Sequence, residues 1–493
     1  VLAVQAAFSL RLIWTRTAFI DEATYIYAGH EMIAHWLHGI PVPPYPTWLS
    51  GSPALYPPLG ALADSLGGLA GARLLGLAFM LSATVLLYFA AKRLFDGRAA
   101  LFSAILFASL AGTQFLGAFA TYDPMALFLL ALSAFLVVRH GGGSGLRDVI
   151  LSCLVAPVVL AVADATKYAT ALWNPAVIGL AFIVPITAGA SKREAAGRAA
   201  RFAGVLVAVI CGALFGIGHG EYLQGIAYTT LDRNASVGGM GQSPTSVLKS
   251  AWEWIGIVVV LAAAGIAVLC ATDRRRWRSP LLVLGLLLFA ATLAAPLEQA
   301  RIGTLVSLQK HVVYGAWFGC IPAGFALARV LRWRPAFAAG ATAALALLPL
   351  ALAAQASSFY SWGQENLAFT AALKPLVHPG TGRYLVEGFD DITAYYVGDV
   401  YSIQWKEAGT GDFQYTDPAT GRRLPKNGAS LAAAVRAKYF TLIILNFAEP
   451  NDALIAADIA KYGGYRVVAT LPPSAVGSKS AYTVWAATGS AVV

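Results

Sequence analysis

Apolar runs of membrane-crossing length recur through the first 355 residues, separated by short polar stretches. A span requires roughly 20 apolar residues, with about 17 tolerated. Eleven runs approach that length, near 1–20, 70–91, 99–119, 124–138, 149–163, 168–188, 202–218, 252–272, 280–296, 311–331 and 335–354. Beyond residue 355 the pattern changes to short β-like runs (RYLVEG, VYSIQW, FTLIIL, YRVVATL, AYTVWAA) alternating with helical runs such as SLAAAVRAKY and NDALIAADIAKYG. That alternation predicts a small α/β layer. No Gly-rich phosphate loop follows any of the β-like runs, so a nucleotide site is not expected there. The expected fold is mainly α: a polytopic membrane domain of about eleven transmembrane helices over 1–355, then a small soluble α/β domain over 356–493. A first outer loop, 21–69, is expected to carry interfacial helices.

Composition agrees with that pattern: 58% of the 493 residues are hydrophobic and 12% are charged, against roughly 25% charged in an average soluble domain. The net charge of +10 sits in clusters between apolar runs, KRLFDGR at 92–98, RHGGGSGLRD at 139–148, SKREAAGRAAR at 191–201, DRRRWR at 273–278 and RVLRWR at 329–334. Such clusters read as cytoplasmic loops, not as a nucleic-acid footprint. The segment 21–69 contains no Lys or Arg, so it and the loops 219–250 and 297–310 are expected to face outward. An odd number of spans then puts the C-terminal domain outside as well. The four cysteines, Cys153, Cys211, Cys270 and Cys320, all fall in apolar runs without metal-ligand or CxxC spacing and read as inert packing. No cleavable leader is visible, so the first run is expected to remain as an anchor.

The chemistry-bearing residues are few. In FIDEATYIYAGHEMI, Asp21 and Glu22 follow the first run. Asp21 is either a helix N-cap, bonding backbone N–H groups, or a desolvated functional carboxylate at the edge of the hydrocarbon layer. His30 and His35 are five apart and point away from each other on a helix, so HEMIAHWLH lacks the zinc-helix spacing. No metal is indicated: an amphipathic interfacial helix accounts for these residues, and a divalent ion on the face shared by His35, His38 and Glu31 is the alternative. In ALYPPLGAL, Pro57 and Pro58 should break any helix and pin an extended entry to the second span, after Tyr56. Asp123, in ATYDPMALF, is a second outer carboxylate, or else the N-cap of the fourth span. Outer-face cations are scarce: Lys167 near Asp164, and Arg301, Lys310 and His311 near Glu298. These either bind a phosphate group or pair with the neighbouring acids. The Gly-rich loop 219–250 carries Tyr228, Asp232 and Arg233 on its flanks, suited to sugar hydroxyls or phosphate, and is either a closing gate or a passive connector.

Taken in order, Arg11 in the first span, Asp21-Glu22-Ala23 with Tyr25, the YPPL of Tyr56 to Leu59, Tyr122-Asp123-Pro124 and Thr166-Lys167-Tyr168 resemble the GT-C integral-membrane glycosyltransferases. The nearest likeness is to the protein O-mannosyltransferase and lipid A aminoarabinose transferase group, over roughly residues 5–335. The late QKHVVYGAWFGCIPAG departs from the Arg-Tyr pattern of that group. The resemblance implies an inverting transfer of a sugar from a polyprenyl-phosphate donor at the outer face of a bacterial plasma membrane. The acceptor would be a lipid, glycan or protein, and no cofactor would be required. It further implies that Asp21, assisted by Glu22 and Asp123, is the catalytic carboxylate, with Lys167, Arg301, Lys310 and His311 on the donor phosphate. Tyr56, Tyr228, Asp232 and Arg233 would then contact substrate. The rival reading is a secondary transporter using Asp21 and Asp123 as ion-coupling sites.

Overall fold

Among the described residues, eight helices are long and apolar enough to cross a membrane: Tyr56–Leu94, Tyr122–His140, Leu146–Thr166, Tyr168–Thr187, Lys192–Gly216, Pro244–Thr272, Pro280–Ile302 and Leu308–Arg332. The three remaining expected spans correspond to shorter apolar helices, Leu2–Ile13, Gly97–Ser109 and Leu347–Phe359. The computed structural model describes the chain apart from residues 218–219, 233–240, 273–278, 334–337, 361, 363–365, 389, 399, 409–412, 474–479 and 490–493. One compact unit is formed by Val1–Thr15 and Pro44–Ser361, the other by Arg16–Pro43 and Trp362–Val493.

In the first unit the helix beginning at Leu308 is almost wholly enclosed, with Pro244–Thr272, Pro280–Ile302 and Gly97–Ser109 against it. Close approach is made possible by small residues, as is common between membrane helices. A Cβ on Gly265 would stand 2.2 Å from the Pro322 carbonyl oxygen. Indole N–H groups are satisfied by backbone: Trp317 Nε1 donates to Ala83 O and Trp173 Nε1 to Ala291 O, both at 2.9 Å. The short helix Leu2–Ile13 is tied in at its C-terminal end. Buried Arg73 donates to Ile13 O at 2.6 Å, while Arg11 bonds Ser357 Oγ at 2.6 Å and Ala353 O at 2.8 Å.

Pro57 and Pro58 do not hold an extended entry. They sit in the first turn of the helix that starts at Tyr56, where the N–H groups have no intrahelical partner and a proline removes nothing. The interruption comes later, at Gly67 and Gly68, whose backbone leaves the helical region.

The second unit contains a five-stranded sheet, β1 (Tyr384–Val386), β2 (Trp405–Glu407), β3 (Leu442–Leu445), β4 (Tyr465–Leu471) and β5 (Tyr482–Ala487), in the order β2-β1-β3-β5-β4. The β1 strand is parallel to β2 and β3, and β5 is antiparallel to β3 and β4. Alternation along the strands feeds two cores. Tyr384, Val386, Leu442 and Ile444 pack with Phe369, Leu373 and Val397, whereas Leu385, Ile443 and Leu445 pack with Leu431, Val435, Ile455 and Ile459.

Helix Ile20–His38 belongs to this unit. Composition assigned it to the membrane domain, but its polar groups are bonded to C-terminal residues. Thr24 Oγ1 donates to Asp391 Oδ2 at 2.5 Å, Tyr27 OH to Val400 O at 2.7 Å, and the Ser402 N and Oγ donate to Glu31 at 2.5 and 2.9 Å. Phe19 and Trp362 add an aromatic contact with centroids 5.1 Å apart.

Glu387, just after β1, and Asp452, on helix Pro450–Tyr462, are buried together and hydrogen-bonded through their side chains. Burial first, then the neighbouring Asp452 and Glu407 carboxylates, push Glu387 up to about 8; burial also raises Asp452. The folded pair therefore holds a proton that an unfolded Glu releases near 4.5. Its stabilisation is complete below that value and is lost as pH rises through about 8. The melting temperature of the detergent-solubilised protein should fall as pH rises from 4.5 to about 8, and Glu387→Gln should flatten that slope. Parallel pH profiles for the two proteins would contradict the assignment.

Candidate active site

Asp123, in the first unit, has no solvent exposure. It lies one residue into helix Tyr122–His140, whose N-cap is Thr121. Asp123 is therefore not the cap, and its carboxylate turns to other side chains. Lys167 Nζ donates to Asp123 Oδ1 at 2.5 Å, Thr121 Oγ1 to Oδ2 at 3.2 Å and Tyr314 OH to Oδ1 at 3.3 Å, while Lys310 Nζ stands 3.9 Å from Oδ2. Tyr314 also donates to the Asp123 carbonyl at 3.0 Å.

Each partner is delivered by an irregularity in the chain. Lys167 is extended at the break between helix Ala156–Thr166 and the 3-10 turn Tyr168–Trp173. A strap from the outer loop crosses that break: Ser52 N donates to Ala165 O at 2.6 Å and Tyr168 N to Ser50 O at 2.9 Å. Only glycine fits between them, because a Cβ on Gly51 would be 1.9 Å from Thr166 O. Lys310 and His311 occupy the first turn of helix Leu308–Trp333, where both amides bond the carbonyl of Ser307, a residue at φ 59.

Aromatic rings line the ammonium groups. Lys167 Nζ is 5.2 Å from the centroid of Tyr122, Lys310 Nζ is 5.5 Å from that of Phe119, and Trp173 stacks on Tyr314 at 5.1 Å. His311 is close enough to Asp123 and both lysines to interact electrostatically, and its enclosed Nε2 has no hydrogen-bond partner among the described residues. Two ammonium groups and an imidazole thus converge on one carboxylate, with cation–π contacts holding the lysine heads in place. Such a cluster can receive a phosphate by charge and by hydrogen bonds from each lysine.

Of the residues singled out from sequence, Asp123, Lys167, Lys310 and His311 are brought together. Arg301 is not part of this group: it is exposed and bonded to Glu298 at 2.8 and 2.6 Å. Asp164 does not pair with Lys167 but accepts from Thr170 at 2.6 Å and Asn174 at 2.7 Å. Asp21 and Glu22 lie in the second unit, on the first turn of helix Ile20–His38. Glu22, not Asp21, serves the helix end, accepting from Phe19 N at 2.9 Å; Asp21 is half-buried. Tyr56 is buried at the start of its helix and Tyr228 is exposed in the turn Tyr228–Asp232, which Asp232 closes. Arg233 and the Gly-rich centre of the 219–250 loop through residue 240 lie outside the described residues. The sequence reading passed over Tyr314, although its spacing of four from Lys310 places both on one helix face.

Removing one member of a buried ion pair typically costs about 3–5 kcal/mol, because the other charge is left uncompensated. Lys167→Met should therefore lower the melting temperature of the purified protein sharply, and adding Asp123→Asn should restore most of the loss. Equal melting of the single and double variants would mean that the pair is not coupled.

Residues 43–207, a window holding Asp123 and Lys167, match the model of the dolichyl-phosphate-mannose-protein mannosyltransferase family. No curated protein matches the sequence. Among solved structures, ArnT from Cupriavidus metallidurans bound to undecaprenyl phosphate is similar with a TM-score of 0.63 and 14% identity, over 99% of this chain and 97% of that one. The oligosaccharyltransferase AglB from Archaeoglobus fulgidus, in complex with an inhibitory peptide and a dolichol-phosphate, has a TM-score of 0.55 and 16% identity over 90% of this chain and 68% of that one. The arabinofuranosyltransferase AftD from Mycobacteria has the same score and identity, over 99% of this chain and 40% of its own length. With its multi-pass helices and small C-terminal sheet, the chain has the fold of the GT-C integral-membrane glycosyltransferases.

Proposed function

We propose that the protein transfers a sugar from a polyprenyl-phosphate donor to an acceptor at the outer face of the membrane, with inversion at the sugar carbon. The observation that carries this reading is the convergence of Lys167 and Lys310 on buried Asp123, within a fold that ArnT shares and in which undecaprenyl phosphate is bound. In the transfer, the acceptor oxygen forms a bond to the anomeric carbon as the bond from that carbon to the phosphate oxygen breaks. The phosphate gains negative charge as it leaves. Ammonium groups beside it then stabilise the transition state more than the bound donor, which is what accelerates the step. Asp123 holds the Lys167 ammonium in position, and His311 Nε2 is available for a further hydrogen bond.

The resemblance assigns the acceptor's proton to Asp21; Glu22 steadies the helix turn on which it stands. The outward orientation rests on the basic clusters at 92–98, 139–148 and 191–201, which the positive-inside rule assigns to the cytoplasm. A bacterial plasma membrane fits this arrangement, because a lipid phosphate carries activated sugar to a face that nucleotide sugars do not reach. The acceptor is a protein, lipid or glycan hydroxyl; AglB, which shares the fold, is held with a peptide.

Asp21→Asn should cut transfer by about 100-fold or more, the usual scale for losing a general base, while melting and undecaprenyl phosphate binding stay at wild-type values. Product formation measured by mass spectrometry decides this, and near-normal turnover would reduce Asp21 to a helix residue. Since lysines supply the positive charge at the leaving phosphate, dialysis against EDTA should leave the rate unchanged. A rate lost to EDTA and restored by a divalent ion would require a metal in the mechanism.

A further inference from the structure

Next to the lysines stands a group of hydroxyls that the phosphate chemistry does not use. Tyr122 comes from helix Tyr122–His140, Tyr168 from the 3-10 turn that follows Lys167, and Tyr222 from helix Glu221–Ala227. The Tyr122 hydroxyl is hydrogen-bonded to Ser50 Oγ, and the Tyr222 hydroxyl lies 2.6 Å from Ser52 Oγ. Tyr168 is within electrostatic reach of both other phenols. Its own hydroxyl is enclosed and has no hydrogen-bond partner among the described residues. It faces the same short helix as Tyr222, since a Cβ on Gly225 would stand 3.4 Å from the Tyr168 oxygen.

An enclosed phenol without a partner destabilises a fold in which phenylalanine would fill the same space. Each of the five hydroxyls can donate and accept, and none carries charge. That combination matches the alcohol groups of a sugar ring. Position agrees with chemistry: Tyr122 precedes Asp123, Tyr168 follows Lys167, and Lys167 Nζ lies 5.2 Å from the centroid of the Tyr122 ring. In a polyprenyl-phosphate sugar the ring is joined directly to the phosphate oxygen, so a phosphate held by the lysines puts the ring within a few ångströms of them.

We propose that Tyr168, flanked by Tyr122 and Tyr222 and supported by Ser50 and Ser52, recognises the hydroxyls of the donor's sugar. This deepens the glycosyltransferase reading and rests on it. The sugar enters by exchanging the Tyr222–Ser52 hydrogen bond for bonds to itself, and the Tyr168 hydroxyl gains a partner that no described residue supplies.

The test compares wild type, Tyr168→Phe and Lys310→Met for binding of undecaprenyl phosphate, undecaprenyl-phosphate mannose and undecaprenyl-phosphate arabinose. Wild type should bind at least one sugar-bearing probe more tightly than the sugar-free one. Tyr168→Phe should weaken that probe by roughly tenfold, the scale of a lost neutral hydrogen bond. Its affinity for undecaprenyl phosphate should be unchanged, and its melting temperature without ligand should be no lower than wild type. Four results overturn the proposal: no preference for a sugar-bearing probe in wild type, unchanged sugar affinity in Tyr168→Phe, equal weakening toward the sugar-free probe, or a drop in ligand-free melting. Lys310→Met separates the two levels. If it loses undecaprenyl phosphate while Tyr168→Phe has no effect, the phosphate site stands and the sugar subsite falls; if it binds undecaprenyl phosphate normally, the phosphate site itself falls.

Discussion

A carboxylate without solvent exposure must be compensated, and Asp123 sets that requirement in the first unit. Burial of an isolated charge costs far more than a small fold can absorb, so the group persists only with close, hydrogen-bonded cations. Lys167 meets the demand at 2.5 Å, and much of the surrounding backbone serves that contact. The helix break at residues 166–168 extends the chain at Lys167, the glycine strap of residues 50–52 crosses the break, and Ser307 starts the helix that brings Lys310, His311 and Tyr314 alongside. An ion pair made this way keeps two ammonium groups desolvated and fixed before any ligand arrives.

Preorganisation of that kind suits a leaving phosphate. Charges fixed in a low-dielectric site need no rearrangement at the moment of bond cleavage, and they act most strongly where negative charge is growing. The neutral hydroxyls beside Lys167 supply a different chemistry, suited to a sugar ring. On the proposed reading, Lys167 and Lys310 would hold the phosphate and the hydroxyls of Tyr122 and Tyr168 the sugar, so that donor recognition would be divided between charge and hydrogen bonding.

The ionisable members of the cluster were legible because Asp123, Lys167, Lys310 and His311 interrupt apolar sequence, where a charge is expensive and stands out. Their pairing was not. Lys167 and Asp123 are 44 residues apart, and nothing local distinguishes that partner from Asp164, which the structure gives to Thr170 and Asn174. Helix Ile20–His38 shows the same limit. Its pattern predicts a helix, but its bonds to Asp391, Val400 and Ser402 span more than 360 residues and leave no periodic trace. The hydroxyl group was hidden for another reason: serines and tyrosines are common in outer loops, and only their three-dimensional neighbours show that Tyr168 has no hydrogen-bond partner among the described residues.

The lysine pair on Asp123 is proposed as the phosphate site on which the rest depends. Electron cryomicroscopy of the protein in lipid nanodiscs with undecaprenyl phosphate tests it most directly. Phosphate density is expected within hydrogen-bonding distance of both Lys167 Nζ and Lys310 Nζ, with the Asp123–Lys167 contact retained. Phosphate density seated elsewhere, such as against Arg301, with both lysines untouched, would contradict it.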